Sequence, residues 1–191
     1  MQLILASQSP RRKELLGLFR LPFIVRVADA DETMDPALPP RQEVARVSLG
    51  KALAVSREPG DVVIAADTIV VCEGQVLGKP RDEEDAFRIL SLLSGRSHEV
   101  MTGMTVLTDD EIITHTEVTK IHFRELHPEE IRAYIATGEP MDKAGAYGIQ
   151  GGAALFADQM EGDYYNVMGL PVCRLAMILR SLGLPVWGVR A

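Results

Sequence analysis

Two kinds of apolar pattern recur along the chain. Short runs rich in valine, isoleucine and leucine, of which residues 62–71 are the clearest, are typical of buried strands. Longer segments with apolar residues three and four positions apart, such as 41–56, predict amphipathic helices. Further strands are predicted at residues 3–5, 23–27, 76–77, 98–107, 111–123, 153–156 and 165–167. Further helices are predicted to begin at residue 10 and to cover residues 82–95, 128–136 and 171–182. Strands that alternate with helices, through hairpins as well as crossovers, predict an α/β fold with a mixed sheet.

The first helix begins with an unusual cluster of cations. Ser9 suits the N-cap and Pro10 the first helical position, yet Arg11, Arg12 and Lys13 follow in the first turn. A helix N-terminus already carries a partial positive charge and attracts acids. Three cations are unfavourable there unless an anion completes the site, so the stretch predicts a phosphate cradle. The alternative is a solvated basic patch.

Size and charge narrow the class of protein. A chain of 191 residues forms one large domain or two small lobes, and an apolar fraction of 47% is ample for a folded core. The net charge of −7 disfavours nucleic acid and anionic membranes as partners, while a local basic cleft for a small polyanion stays compatible with it. A loop is predicted over residues 28–40, which are acidic and rich in proline.

Cysteines and histidines show no metal-binding spacing. Cys72 and Cys173 lie far apart in apolar settings and are expected to be buried and reduced. The histidines are interpreted as strand-surface or cap residues and not as a zinc site: His98, His115, His122 and His127. With no signal peptide and no long apolar span, a cytoplasmic protein is expected.

Two charged residues interrupt apolar patterns. Asp67 lies inside a strand whose other residues are mostly apolar, where a carboxylate is costly unless a cation or hydrogen-bond donors compensate it. Such acids are typical of active sites, although a structural cap is the alternative. Lys51 shares a helical stripe with Val44, Val47 and Val55. Its ammonium either snorkels to solvent, which the helix alone favours, or points into a cleft.

A long glycine-containing loop covers residues 139–152. Loops of this length are functional or disordered, and the apolar content here argues against disorder. Asp142 and Lys143 fit no strand pattern, and the amide of Gln150 can recognise a base edge or simply fill a turn. Lys79, between a glycine and a proline, is either well aimed or an ordinary loop lysine.

Five ordered motifs resemble those of the Maf family of nucleoside triphosphate pyrophosphatases. They lie at residues 7–12, 67–68, 78–80, 96–98 and 139–151, and the resemblance extends from Leu3 to about Leu182. Residues 142–151 are similar to the loop of the subgroup that hydrolyses dTTP and UTP.

The resemblance implies a fold, an activity and a cofactor. It implies one domain over residues 1–191, with a two-lobed α/β/α architecture, a twisted mixed sheet and a central cleft, as in Maf and ITPase-like proteins. It implies hydrolysis of dTTP and UTP, or of modified pyrimidine nucleotides, to the monophosphate and pyrophosphate. A divalent metal, Mg²⁺ or Mn²⁺, and a homodimer are expected with it.

The resemblance also implies roles for particular residues. Asp67 corresponds to the proton acceptor, with Lys51 and Lys79 as further catalytic residues, and Glu32 and Asp67 are the candidate metal ligands. The substrate-binding positions are Ser7, Arg11, Arg12, Thr68, Asp142, Lys143 and Gln150. Two other functions remain open: a 7-methyl-GTP pyrophosphatase of the same family, and a non-catalytic nucleotide-binding regulator of cell division.

Overall fold

The computed structural model describes residues 1–35 and 37–189, and over these it is a mixed α/β fold. The strands are β1 Leu3–Leu5, β2 Phe23–Val25, β3 Val62–Cys72, β4 Gln75–Leu77, β5 Ser97–Leu107, β6 Ile112–Phe123 and β7 Ala157–Glu161. The helices are α1 Pro10–Gly17, α2 Pro40–Ala54, α3 Glu83–Leu93, α4 Pro128–Ile135, α5 Tyr164–Met168 and α6 Val172–Ser181. The α/β class is confirmed.

The seven strands form one mixed sheet in the order β2-β1-β3-β5-β6-β7, with β4 paired to β3. β1 runs parallel to both β2 and β3, whereas β4 and β7 are antiparallel to their neighbours. Glu73 and Gly74 join β3 to β4 with φ angles of 51° and 78°, a conformation that fits the right-handed twist of a tight hairpin. The predicted mixed sheet is therefore confirmed.

The chain divides into two compact units. The first unit contains Met1–Asp67, Thr102–Glu117 and Gly169–Ala191, and the second contains Thr68–Met101 and Val118–Met168. Within β3, Asp67 is the last residue of the first unit and Thr68 is the first residue of the second. The predicted cleft and the single domain over residues 1–191 stay predictions.

The core of the first unit lies between α2 and the sheet. Its buried members lie on β1, α2, β3 and β5 or directly after β1 and α2: Ile4, Ala6, Ala52, Val55, Val63, Ala65 and Leu107. Gly103 of β5 lies so close to α2 that an added Cβ would be 2.2 Å from the Val44 carbonyl oxygen. Such an approach is possible only without a side chain, and it fixes the distance between helix and strand.

An aromatic cluster forms part of the core of the second unit. Phe123 lies at its centre, with ring centroids 4.9 Å from both His98 and Tyr147 and 5.9 Å from Phe156. The prediction that His98 is a strand-surface or cap residue is wrong, because it is 2% exposed and its Nε2 lies 2.8 Å from the Tyr147 hydroxyl. Burial, with a smaller contribution from His122, lowers the pKa of His98 to about 4.

The region after residue 150 differs from the predicted elements. Residues 153–155 belong to a 3₁₀ helix, Gly152–Leu155, which Phe156 caps, and residues 165–167 belong to α5, so neither segment is a strand. The observed strand is β7, which the apolar pattern missed because this edge strand is mostly exposed. Asn166 is buried and its amide donates to the Val100 carbonyl and to Thr119 Oγ1, both at 3.0 Å.

The two cysteines differ in exposure. Cys72 is buried as expected, whereas Cys173 is exposed because it lies on the outer side of α6, so that expectation is wrong. The predicted loop over 28–40 has no regular structure before α2 begins at Pro40, with Pro36 outside the described residues.

Within the described part of the chain, no helix combines the length and apolar character needed to cross a membrane.

Candidate functional site

Hydrogen bonds organise the turn between β1 and α1 around Arg12. The Ser9 hydroxyl accepts from the Arg12 backbone N–H at 3.4 Å, which confirms Ser9 as the N-cap. The Arg12 guanidinium turns back over this turn and donates to Ser7 Oγ at 3.2 Å and to the Gly169 carbonyl at 2.8 Å. The arginine fork is thus held at a fixed place beside the helix N-terminus.

The electrostatic surroundings of Arg12 link this turn to two carboxylates. Burial lowers the pKa of Arg12, the Asp67 charge raises it, Arg11 lowers it, and Glu32 raises it. Arg12 therefore lies within interaction range of both candidate metal ligands. Arg11 is half-buried, whereas Lys13 is exposed, so the three cations of the first turn are not equivalent.

Lys51 joins the two carboxylates directly. Its ammonium lies 2.7 Å from Asp67 Oδ1 and 3.0 Å from Glu32 Oε2, and its side chain is only 14% exposed. The interpretation that Lys51 snorkels to solvent is therefore wrong. A partly buried carboxylate in β3 needs a cation, and α2 supplies one, which offsets the cost of removing both charges from water.

The loop that carries Glu32 is attached to α2 by residues that the sequence did not indicate. Glu43 is 1% exposed, and its carboxylate accepts from the Asp35 backbone N–H at 2.7 Å and from Arg46 Nε at 3.0 Å. Arg46 also donates to the Thr33 carbonyl at 2.6 Å. Hydrogen bonds, first from Arg46, lower the pKa of Glu43. The spacing of an acid and an arginine three residues apart in the first turns of α2 is the one signal that could have revealed this pair.

The carboxylates of Glu32 and Asp67 are the candidate ligands of a divalent ion. Among the residues that the structure describes, no three His, Cys, Asp or Glu side chains are placed to hold an ion together. Both carboxylates, however, present an oxygen to the same ammonium. Mg²⁺ in nucleotide enzymes is commonly bound by one or two carboxylates, with phosphate oxygens and water as its other ligands. The pair fits a divalent ion of that kind.

The second unit carries the remaining predicted residues on β3 and on two neighbouring loops. Lys79 is exposed in the loop after β4, where the Gly78 carbonyl accepts from the Gly145 N–H at 3.0 Å. Thr68 is half-buried in β3. An added Cβ at Gly145, whose φ is 70°, would lie 2.8 Å from Val70 Cγ2, so this glycine permits the close approach of the loop to β3.

The loop predicted over residues 139–152 contains three short 3₁₀ segments joined by irregular structure. These are Glu139–Asp142, Ala144–Ala146 and the start of Gly152–Leu155. Lys143 donates to Asp142 Oδ1 at 2.6 Å and to the Glu139 carbonyl at 2.7 Å, so the charged pair is a local link within the loop. Gln150 is exposed.

The predicted site residues therefore fall into two groups. The first unit brings together Ser7, Arg11, Arg12, Glu32, Lys51 and Asp67. The second unit places Thr68 in β3, with Lys79, Asp142, Lys143 and Gln150 on adjoining loops. The first group combines cations with two carboxylates, an arrangement suited to phosphate chemistry.

Comparison with known proteins gives closely related sequences. The family model described as Maf-like protein matches residues 2–182. A protein of Symbiobacterium thermophilum named dTTP/UTP pyrophosphatase is 51% identical over 187 residues, covering 97% of this chain and 96% of that protein. One of the same name from Moorella thermoacetica is 49% identical over 191 residues, covering 98% of both chains.

A solved structure is similar in fold. The structure of a HAM1 protein from Coxiella burnetii matches with a TM-score of 0.52 and 15% identity, covering 95% of this chain and 99% of that one. At this identity the likeness concerns architecture alone. The match of the family model over almost the whole chain, together with relatives about half identical to it, shows that this chain belongs to the Maf-like protein family.

Proposed function

We propose that this protein is a nucleoside triphosphate pyrophosphatase that hydrolyses dTTP and UTP to the monophosphate and pyrophosphate. Relatives that are 49% and 51% identical carry that activity in their names. The observation that carries the proposal is the Lys51–Asp67 ion pair at 2.7 Å, with Arg12 close enough for the Asp67 charge to raise the pKa of Arg12. The arrangement combines a carboxylate for water with cations for phosphate.

The residues of the first unit divide the chemistry between them. Arg11, Arg12 and the N–H groups at the start of α1 hold phosphate oxygens, with Ser7 fixing the Arg12 fork. Asp67 orients a water molecule toward the α-phosphorus and takes its proton as the new P–O bond forms. The bond between the α-phosphorus and the oxygen that bridges it to the β-phosphorus breaks, and its electron pair leaves with pyrophosphate. Lys51 offsets the negative charge that develops. Lys79, which belongs to the second unit, is proposed as a further catalytic residue.

A divalent cation, Mg²⁺ or Mn²⁺, would be held by Glu32 and Asp67 together with phosphate oxygens. When bound, it neutralises charge on the triphosphate. The Lys51 ammonium lies next to both carboxylates and keeps one oxygen of each directed toward a common point.

Base selection is assigned to Gln150, with Thr68 and Arg11 as further specificity positions and Asp142 and Lys143 as substrate-binding residues. Uracil and thymine share an edge with an N3–H donor and an O4 acceptor. A side-chain amide offers the complementary acceptor and donor. Recognition of this shared edge by the Gln150 amide accounts for activity on both dTTP and UTP.

Several expectations accompany this function. The enzyme acts on free nucleotides in the cytoplasm, as a single domain over residues 1–191 and as a homodimer, with modified pyrimidine nucleotides as further substrates. The bacterial relatives named as nucleotide pyrophosphatases support the location, and the net charge of −7 supports a small-molecule partner over nucleic acid.

Pyrophosphate release across a panel of triphosphates tests the proposal. UTP, dTTP, CTP, GTP and 7-methyl-GTP are each assayed with and without Mg²⁺. We expect kcat/KM for UTP and dTTP to exceed the others by about tenfold or more, with activity requiring the ion. Preference for 7-methyl-GTP, or nucleotide binding without any pyrophosphate release, would overturn it.

A further inference from the structure

Two backbone N–H groups on either side of Gln150 are held by one pair of side chains. The Tyr134 hydroxyl, from α4, accepts from the Gly148 N–H at 3.0 Å and donates to Glu139 Oε1 at 2.9 Å. Glu139 Oε2 accepts from the Gly152 N–H at 3.1 Å. The pair thus fixes the chain two residues before and two residues after Gln150. We call Tyr134 and Glu139 the loop clamp.

The loop clamp leaves no space for side chains on the glycines beside it. An added Cβ at Gly151 would lie 2.0 Å from Glu139 Oε1, and one at Gly148 would lie 3.0 Å from the same oxygen. The Lys143 ammonium holds the Glu139 backbone carbonyl at 2.7 Å. The carboxylate therefore packs against the loop as well as bonding to it.

The burial of Tyr134 keeps its hydroxyl in the role of donor. The residue is 5% exposed, and its ring packs edge-on against Phe156 at 5.2 Å. Burial, assisted by Glu139, raises the pKa of Tyr134, so the hydroxyl stays protonated throughout the working range of an enzyme. A hydroxyl that donates to a carboxylate makes a charge-assisted bond, which is stronger than a bond between neutral groups.

A glutamine that distinguishes bases needs such support. When the amide turns over, its acceptor and donor exchange places, and it then matches cytosine as well as it matched uracil. Discrimination therefore requires that the backbone beneath Gln150 hold one position. The exposed side chain of Gln150 does not provide this itself, whereas the loop clamp fixes the chain on both sides of it.

We propose that Tyr134 and Glu139 are positioning residues that determine base discrimination by fixing the loop that carries Gln150. The inference rests on the proposed function, since it takes Gln150 as the residue that recognises the base.

The first test replaces the hydroxyl and keeps the ring. In Tyr134→Phe we expect the ratio of kcat/KM for UTP to that for CTP to fall about tenfold, mainly through KM for UTP. The Gly148 N–H loses its acceptor, and Glu139, which holds the Gly152 N–H, loses the donor that fixes its carboxylate. Glu139→Gln, which keeps the shape and one acceptor, should give a smaller fall in the same direction. Tyr164→Phe removes an exposed hydroxyl of α5 and serves as the matched control with an unchanged ratio.

A double-mutant comparison and hydrogen exchange separate positioning from general damage. In a Gln150→Ala background, Tyr134→Phe should change the UTP/CTP ratio no further. Amide exchange at Gly148 and Gly152 should accelerate in Tyr134→Phe while α4 keeps its protection. Unchanged exchange at both glycines, an unchanged ratio in both clamp variants, or multiplying effects in the double mutant overturns the inference. A wild-type enzyme without preference for UTP overturns the proposed function instead.

Discussion

At the scale of single residues, the chemistry depends on Asp67 and Lys51. Their charged atoms lie 2.7 Å apart, and their side chains are 18% and 14% exposed. Ion pairs with so little exposure to solvent are costly to break, because removing one partner leaves the other charge with less compensation. Asp67 is therefore the residue whose alteration should affect turnover most.

Asp67→Asn keeps the size of the side chain and removes its ability to accept a proton. We expect kcat for UTP to fall by about 10³-fold, within the range of general-base catalysis. The drop in Tm should be small, because Lys51 keeps its ion pair with Glu32. Asp110→Asn, an exposed acid of the same unit, is the control. Turnover near the wild-type value in Asp67→Asn would remove this residue from the reaction.

His98 predicts a specific loss of stability in acid. The pKa of His98 is about 4 in the folded protein, below its ordinary value of 6.5. Between these two pH values the histidine is protonated in the unfolded chain and neutral in the folded protein. The free energy of unfolding should therefore fall by at most about 1.4 kcal/mol per pH unit between pH 6.5 and 4 on this account. Urea unfolding across that range measures the slope.

His98→Gln should be less stable at pH 7.5, because the ring contacts with Phe123 and Tyr147 are lost, yet its slope should be shallower by about one proton. Phe123→Leu weakens the same cluster and leaves the histidine in place, so it should keep the wild-type slope. Equal slopes for His98→Gln and the wild type would contradict the assignment.

At the scale of elements, α2 positions two charged residues of the site, Lys51 and Glu32. It carries Lys51, and through Glu43 and Arg46 it holds the loop that contains Glu32. The place of this helix on the sheet is set by its closest backbone approach, at Gly103 of β5. A change at that glycine should therefore affect the site at a distance.

Gly103→Ala should lower the free energy of unfolding by about 1–3 kcal/mol, since a Cβ 2.2 Å from the Val44 carbonyl forces α2 away from β5. Gly50→Ala, within α2, meets nothing within 4 Å and should raise stability by about 0.5–1 kcal/mol. Chemical denaturation of the two variants gives opposite signs. A neutral Gly103→Ala would show that helix and strand are not tightly packed there.

At the scale of the whole molecule, an acidic protein has to bind a polyanion. The net charge is −7, so affinity for a triphosphate must come from a local group of cations, and the surface as a whole contributes repulsion. Arg11, Arg12 and Lys51 are such a group in the first unit. Binding there should stabilise the folded state by mass action.

A non-hydrolysable UTP analogue at about 100 times its Kd should add about 2.7 kcal/mol to the free energy of unfolding. For a protein of this size the corresponding rise in Tm is about 5–10 °C, which differential scanning fluorimetry records. The matching GTP analogue at the same concentration should give a smaller rise. Equal shifts with both analogues would contradict selection of the base.

Agreement between sequence and structure follows the strength of the local signal. β3 was predicted almost to its ends because its apolar run is continuous, and Ser9 was identified as a cap because capping is a local interaction. Between residues 153 and 167 the predictions were wrong, because the buried amide of Asn166 and the exposed β7 depend on neighbours far away in the chain. The residues of the loop clamp were not recognised as a pair for the same reason.

The sequence by itself determined the family, the α/β class and the identities of the candidate site residues, because ordered motifs and local periodicity are properties of the chain alone. Only the tertiary structure decided that Lys51 turns inward to Asp67, that His98 is buried and that Glu43 holds the loop of Glu32. Each of these depends on a partner brought close by folding. A charged or polar side chain leaves water only where the interaction with such a partner offsets the free energy lost with its hydration.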